Sequence, residues 1–424
     1  MNSFGRFFRI SIFGESHGES LGIVVDGCPA GLPLEPGDFL GDLGRRQGGR
    51  EGTTARVEDD VPHLTSGIFE GKTTGAPILV VFDNEKQDSG AYETLRYTPR
   101  PGHADFSAFT KYGGFNDHRG SGHFSGRLTV GLVAAGVIAK KIILPVAVEA
   151  EIVEAGGSKD IAGAVRGATA EGDSIGGIVQ CTSRGLPAGL GEPFCDSLES
   201  LISHAVFSIP AVKGIEFGAG FAAARMCGSA CNDEILDLAG TTGSNNAGGI
   251  AGGISNGNEL FFRVAVKPTP SIPKPQGSID LRDGQRISLS VEGRHDLCIA
   301  LRMPVIIEAA TAIVLADTML MEQRVPRVRP GGQPVRPAAG TPSENTAGTR
   351  DPGTFQGLMY EAMAKMPEAA IFDDATVEQL ENVTSRLEHL KHILRGKDEE
   401  ELRIFFDRIL RTPIKENHHN GKQQ

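Results

Sequence analysis

A chain of 424 residues can bury a substantial core without disulfides or metal to support it. Its 53 acidic against 42 basic residues leave a net charge of -11, which excludes general nucleic-acid binding and requires that any anionic ligand be met by locally clustered arginines. The six cysteines, at 28, 181, 195, 227, 231 and 298, form neither a CxxC pair nor a zinc-type set with histidine, so reduced, mostly buried thiols and no metal are expected.

The opening segment, MNSFGRFFRISIFG, has two arginines, no uninterrupted apolar run and no small-residue cleavage pattern, so it does not read as a signal peptide. Each apolar run along the chain is broken by charge or glycine short of the roughly twenty residues a membrane span needs. No membrane association is expected, and the expected compartment is the cytoplasm.

A strand is predicted over 7–13, running into Phe13-Gly14-Glu15-Ser16-His17-Gly18, a glycine-bounded turn that projects a histidine. An imidazole there can exchange a proton near neutral pH, or it can be a turn histidine with no role. Next come Arg45, Arg46, Arg50 and Arg56, whose guanidinium forks match phosphate and carboxylate oxygens unless the segment is simply a solvated loop. A second strand is predicted at 78–82. After it, Arg100-Pro101-Gly102-His103-Ala104-Asp105 again sets a histidine beside glycine, so two histidines on glycine-rich loops suggest a pair of proton-transfer groups.

The segment from Asp117 through Arg119 and His123 to Arg127 is rich in glycine and serine and leads into an apolar run at 128–144 that reads as a buried helix. Such a loop at a helix start is either an anion site or a tight connection. Neither GxxxxGK[ST] nor a properly placed GxGxxG is present. Further strands are predicted at 177–183 and Leu260–Val266, and a second buried helix at 304–322. The loop 243–253 and the segment Lys267-Pro268-Thr269-Pro270-Ser271 could cradle a phosphate through amides and hydroxyls, or be plain loops. Gly293-Arg294-His295-Asp296 brings together a cation, an imidazole and a carboxylate before the second helix, where a salt-bridged cap is the alternative.

Six prolines between 325 and 352 mark a linker after a main domain at 1–324. Beyond it, 376–394 and 398–410 are amphipathic and separated by Gly396, which reads as a helical hairpin within a 353–424 extension. The expected fold is α+β, with buried helices layered between sheets.

Taken together and in order, FGESHG, the arginine-rich loop, RPGHAD, SIPAVKG, NNAGGIAGG, KPTPSI and GRHD resemble the chorismate synthase family from about residue 3 to residue 324. The resemblance implies a β-α-β sandwich of antiparallel sheets and a homotetramer. It also implies an anti-1,4-elimination of phosphate from 5-enolpyruvylshikimate-3-phosphate, a small phosphate ester, that requires reduced FMN. By the same resemblance His17 protonates the flavin, His103 assists the departing phosphate and Asp296 relays a proton. Arg45, Arg46, Arg119, Arg127 and Arg294 are implied to meet the substrate anions, and Arg46 and Arg50 to contact NADPH where it is the reductant. The implied flavin shell is His123, Phe124, Ser125, Ala211, Gly252, Lys267, Pro268, Thr269, Pro270, Ser271 and Arg294.

This chain departs from the family's usual RSSARET with His123-Phe124-Ser125-Gly126-Arg127-Leu128-Thr129, and Gln47 stands where a third arginine is usual. Two rival readings use the same residues: an NAD(P)H-dependent flavin reductase, and a non-catalytic phosphate-binding relative. The retained His17, His103 and Asp296 speak against the first, and stoichiometric FMN binding would speak against the second. An external flavin reductase is a partner if the chain does not reduce its own flavin.

Overall fold

The computed structural model describes residues 2–85, 90–291 and 295–329. The chain divides into two compact units, Met1–Gly332 and Gln333–Gln424. The expected hairpin, most of the expected linker and Arg294 lie outside the described residues.

Two antiparallel sheets carry the first unit. One has five strands in the order Ser3–Phe4, Arg9–Gly14, Ser20–Asp26, Ile78–Asp83, His63–Ser66. The other has four, in the order Val212–Phe217, Leu260–Val266, Gly177–Arg184, Ala147–Ala155. Alternation sets their faces: Ile78, Val80 and Phe82 are buried, as are Leu260, Phe262, Val264 and Val266, while the residues between them are less so.

Between the sheets lie the helices Thr129–Ile142 and Met303–Met321. The first packs on the five-stranded sheet and the second on the four-stranded one, and they also pack on each other. Both are apolar on nearly every side, which suits a helix covered by protein all round. The crossing is close because Gly136 lies against Ala309, where even a methyl group would overlap Ala309 Cβ. The helical segment Ile299–Met321 is long and apolar enough to cross a membrane by composition alone, with an 18-residue stretch of mean hydropathy 1.9, but 78% of that stretch is buried in this core. It also carries two buried carboxylates, each with protein partners. Asp317 accepts the backbone N–H groups of Arg6, Phe7 and Phe8, and Glu308 accepts from Arg45, Lys140 and the Ala150 N–H.

The predicted elements match closely, with strand 7–13 shifted to Arg9–Gly14 and helix 128–144 trimmed to Thr129–Ile142. The chain past residue 324 still belongs to the body: Ala30 bridges Val328, and Arg329 donates to the Lys141 and Ile142 carbonyls at a helix end. Three of the six free cysteines, Cys28, Cys181 and Cys298, are buried, fewer than expected. Burial pushes the Cys28 and Cys181 thiols up to about 12, so neither is a ready nucleophile.

Candidate active site

His17 stands just past the Arg9–Gly14 strand, where Gly14 at φ +92° lets the chain leave the sheet. The turn is pinned by Asn84, whose Nδ2 donates to the Glu15 and Gly18 carbonyls. His17 is buried, with Tyr92 edge-on at 5.2 Å between ring centroids. The Gly120 backbone lies so near the ring that a Cβ there would strike His17 and the Ser16 hydroxyl.

His103 sits on a β-turn with Pro101 and Gly102 at its corner, closed by the His103 N–H to the Arg100 carbonyl at 3.2 Å. Asp105 opens the helix Asp105–Tyr112, and its Oδ1 lies 2.6 Å from His103 Nδ1. Arg100, buried, grips the same carboxylate through Nε at 2.8 Å and Nη2 at 2.9 Å, and reaches Ser271 and Ser121 through its other N–H groups. Burial opposes ionisation of Asp105, but the Arg100 guanidinium and the His103 ring hold its carboxyl well below the usual carboxylate range.

A second polar centre adjoins this one. Arg46 and Arg127 both pair with the buried Asp60, Arg46 at 3.1 Å. Arg46 also donates to Thr129 Oγ1 and to the Gly126 and Arg127 carbonyls, so the protein takes nearly all its N–H groups. Burial and the Arg302 guanidinium pull the Arg46 charge down, to about 9, with Asp60 opposing, and it stays cationic at neutral pH. Asp296 accepts from the Thr54 N–H at 2.9 Å and from Arg302 Nη1 at 3.0 Å, while Arg302 Nε donates to the Arg46 carbonyl. Beside Asp296, burial and the Arg100 charge push the His295 imidazole down, so it is neutral at pH 7.

The remaining predicted residues fall on several surfaces. Arg45 is paired with Glu308 at 2.5 Å and lines a cleft of about 440 Å³ with Arg50 and Arg302. Arg119 pairs with Asp117 at 2.8 Å and is partly exposed. Nδ1 of His123 donates to the Gly14 carbonyl at 2.8 Å, Phe124 packs near Tyr112, and Ser125 caps the turn before Arg127. Lys267 donates to the Gly102 carbonyl at 2.5 Å, which ties the segment Lys267, Pro268, Thr269, Pro270, Ser271 to the His103 turn. Ala211 accepts from the Lys267 N–H. Gly252 turns a short hairpin between Ile250–Ala251 and Ile254–Ser255, whose Gly253 carbonyl accepts from Leu198.

Several polar atoms in this region, Arg127 Nη2, Thr269 Oγ1 and His295 Nε2, are buried and make no hydrogen bond among the described residues. Lys213 is close enough to Lys267 that, after burial, its charge pushes the Lys267 ammonium down. Adjacent cations with an open hydroxyl and an open guanidinium N–H fit a phosphorylated cofactor and a polyanionic substrate.

Asp60, Arg100, Asp105, Ser121 and His295 were not assigned from the sequence. Arg100, Asp105, Ser121 and His295 fall inside segments already singled out, so their position was a usable signal. Asp60 closes an acidic run, Glu58-Asp59-Asp60, that looks like a solvated face, and no periodicity distinguishes it.

Two histidines on glycine turns beside buried guanidiniums, within helices layered between antiparallel sheets, define an α+β protein with a cation-rich polar site. The chorismate synthase family model matches residues 8–320. The chain is 61% identical over 329 residues to a chorismate synthase of Chitinophaga pinensis, covering 77% of this chain and 99% of that one. It is 47% identical over 360 residues to a chorismate synthase of Dehalococcoides mccartyi, with the same coverages. A crystal structure of chorismate synthase superposes with a TM-score of 0.58 at 26% identity, covering 75% of this chain and 93% of that one. This chain belongs to the chorismate synthase family.

Proposed function

We propose that the chain eliminates phosphate from 5-enolpyruvylshikimate-3-phosphate to give chorismate, with reduced FMN as cofactor. The observation that carries this reading is the joining of His17 and His103 through one loop, 120–122, with the Arg100 guanidinium bonded to Ser121 of that loop and the Arg127 guanidinium bonded to Asn84, which pins the His17 turn. In the reaction the C3–O bond breaks, phosphate leaves with the bonding electrons, a C6 hydrogen is removed and a second ring double bond forms. When bound, reduced FMN supplies the transient electron density that C–O cleavage needs.

The chain's own residues divide the remaining work. Arg127, through its open Nη2, and Arg100 meet the substrate anions, and preorganised guanidiniums favour the leaving phosphate as it gains charge. Arg46 and Arg45 serve from behind, since drawing Arg45 toward a ligand would uncover the buried Glu308 carboxylate. Arg119, partly exposed beside Asp117, adds to the anion set, and by the family resemblance Arg294 belongs to it as well. His103 assists the departing phosphate, His17 holds a proton toward the flavin, and Asp296, steadied by Arg302, relays the proton lost in the elimination. Lys267, Thr269 and Ser271, with Lys213 beside them, suit the flavin phosphate.

A homotetramer acting in the cytoplasm is part of the proposal. Phe115, Phe194, Phe221 and Leu238 stand exposed on the described surface, and subunit contacts would cover such residues. The test is an anaerobic assay with the enolpyruvyl substrate and chemically reduced FMN, followed by chorismate absorbance and repeated with NADPH as the only reductant. Product under the first condition supports the elimination, and product under both adds intrinsic flavin reduction. In the same assay His103→Ala should keep FMN binding and lose most turnover; unchanged turnover removes His103 from the reaction.

A further inference from the structure

The three residues Gly120, Ser121 and Gly122 all adopt left-handed backbone, at φ +56°, +72° and +52°. Glycine takes that conformation freely, but serine does so at a cost, so the fold holds Ser121 there against its own preference. Both glycines face obstacles that a side chain could not share: His17 and Ser16 at Gly120, and the Asp117 carbonyl at Gly122. The Gly122 carbonyl also accepts from the Ser16 N–H at 3.1 Å, which fastens the loop to the His17 turn.

The one side chain in this tripeptide points the other way. Ser121 Oγ lies 3.3 Å from His103 Nε2 and accepts from Arg100 Nη2 at 2.8 Å. Because the Asp105 carboxylate can only accept, the proton on His103 sits on Nδ1, and Nε2 is then the acceptor. The Ser121 hydroxyl accepts from Arg100 through one lone pair and can donate its hydrogen to Nε2, which Arg100 Nη2 also approaches at 3.3 Å. His103 is thereby held at both ring nitrogens, by Asp105 on one side and Ser121 on the other, with Arg100 bracing both.

We propose that Ser121 is a positioning residue that fixes the His103 ring, and that the left-handed tripeptide is the spacer that sets His103 against His17. The catalytic side of this inference rests on the elimination reading above. Ser121 touches no reacting atom and acts through His103.

The test compares Ser121→Ala, which keeps the strained backbone and loses the hydroxyl, with Ser121→Gly, which relieves the strain and also loses the hydroxyl. In full-length chain labelled with ¹⁵N-histidine, the His103 signals are assigned by their loss in His103→Gln. Both Ser121 variants are expected to shift the Nε2 resonance. Both are expected to lower kcat roughly tenfold, as for one lost hydrogen bond at a positioned group, with KM changed less than about twofold. The thermal midpoint of Ser121→Gly should equal or exceed that of Ser121→Ala. An unmoved Nε2 resonance in both variants overturns the proposal, as does turnover that follows the thermal midpoint, with Ser121→Gly fully active. A wild-type chain that makes no chorismate defeats the elimination reading alone, because the resonance still decides whether Ser121 holds His103.

Discussion

Replacing Asp60 with asparagine isolates the buried charge at the centre of the site. Asp60 has a side-chain exposure of 1%, and the guanidiniums it serves, on Arg46 and Arg127, have 3% and 7%. Its φ is +48°, a conformation asparagine tolerates, so the substitution removes charge without adding backbone strain. The asparagine oxygen can still accept from one arginine, but its NH₂ faces the other and two buried cations lose their counter-charge. Removing one partner of a buried pair costs about 3–5 kcal/mol. At about 2–4 °C per kcal/mol for a domain of a few hundred residues, the thermal midpoint should fall by roughly 10 °C. The assay is calorimetry at pH 7, with Asp26→Asn as control, because the Arg9–Asp26 pair is exposed and should contribute less than about 1 kcal/mol. Raising the salt should abolish the small control effect and leave the Asp60 effect standing. A midpoint for Asp60→Asn within a degree of wild type would refute the claim that this carboxylate neutralises both guanidiniums.

Two further outcomes follow from particular contacts. The depressed carboxyl of Asp105 contributes stability that is present above its unfolded pKa of about 3.9 and is lost as pH falls toward the folded value, so acid unfolding should begin below about pH 4. Midpoints measured from pH 6 to pH 3 should therefore fall less steeply for Asp105→Asn than for wild type; parallel curves would show that the ion pair contributes nothing. Gly136→Ala places a methyl against Ala309 and should cost about 1–3 kcal/mol by forcing the central helices apart, with Ala309→Gly restoring part of the loss. A denaturant titration of the two single variants and the double variant checks this, and additivity without rescue would exclude contact at the crossing.

The sequence by itself determined four of the nine strands in the two main sheets, the two buried helices and the identity of most chemical groups. Periodicity of apolar residues reports which face is covered, as at Leu260–Val266, whose bounds the pattern placed without error. Motif order carried the family, because seven ordered segments constrain one another as a single segment does not. The histidines at 17 and 103 were legible for a local reason: each stands on a glycine-bearing turn, with Gly14 at φ +92° before His17 and Gly102 at φ +71° beside His103.

Only the tertiary structure decided which of these groups meet and which arginines are already occupied. Arg45 and Arg46 are neighbours in sequence, yet a helix turns successive side chains apart, so one pairs with Glu308 at an open cleft and the other is buried against Asp60. Their partners lie 263 and 14 residues away, and no local pattern encodes either separation. Ser121 is a similar case, for the composition of its segment suggests an anion site or a tight connection and gives the serine no partner. Its role is set by a left-handed backbone and by a histidine 18 residues earlier, which the fold brings to within 3.3 Å. Local physics chooses the element a residue joins, whereas charge pairing and ring positioning depend on contacts between distant segments, which exist only once the sheets have closed on their helices.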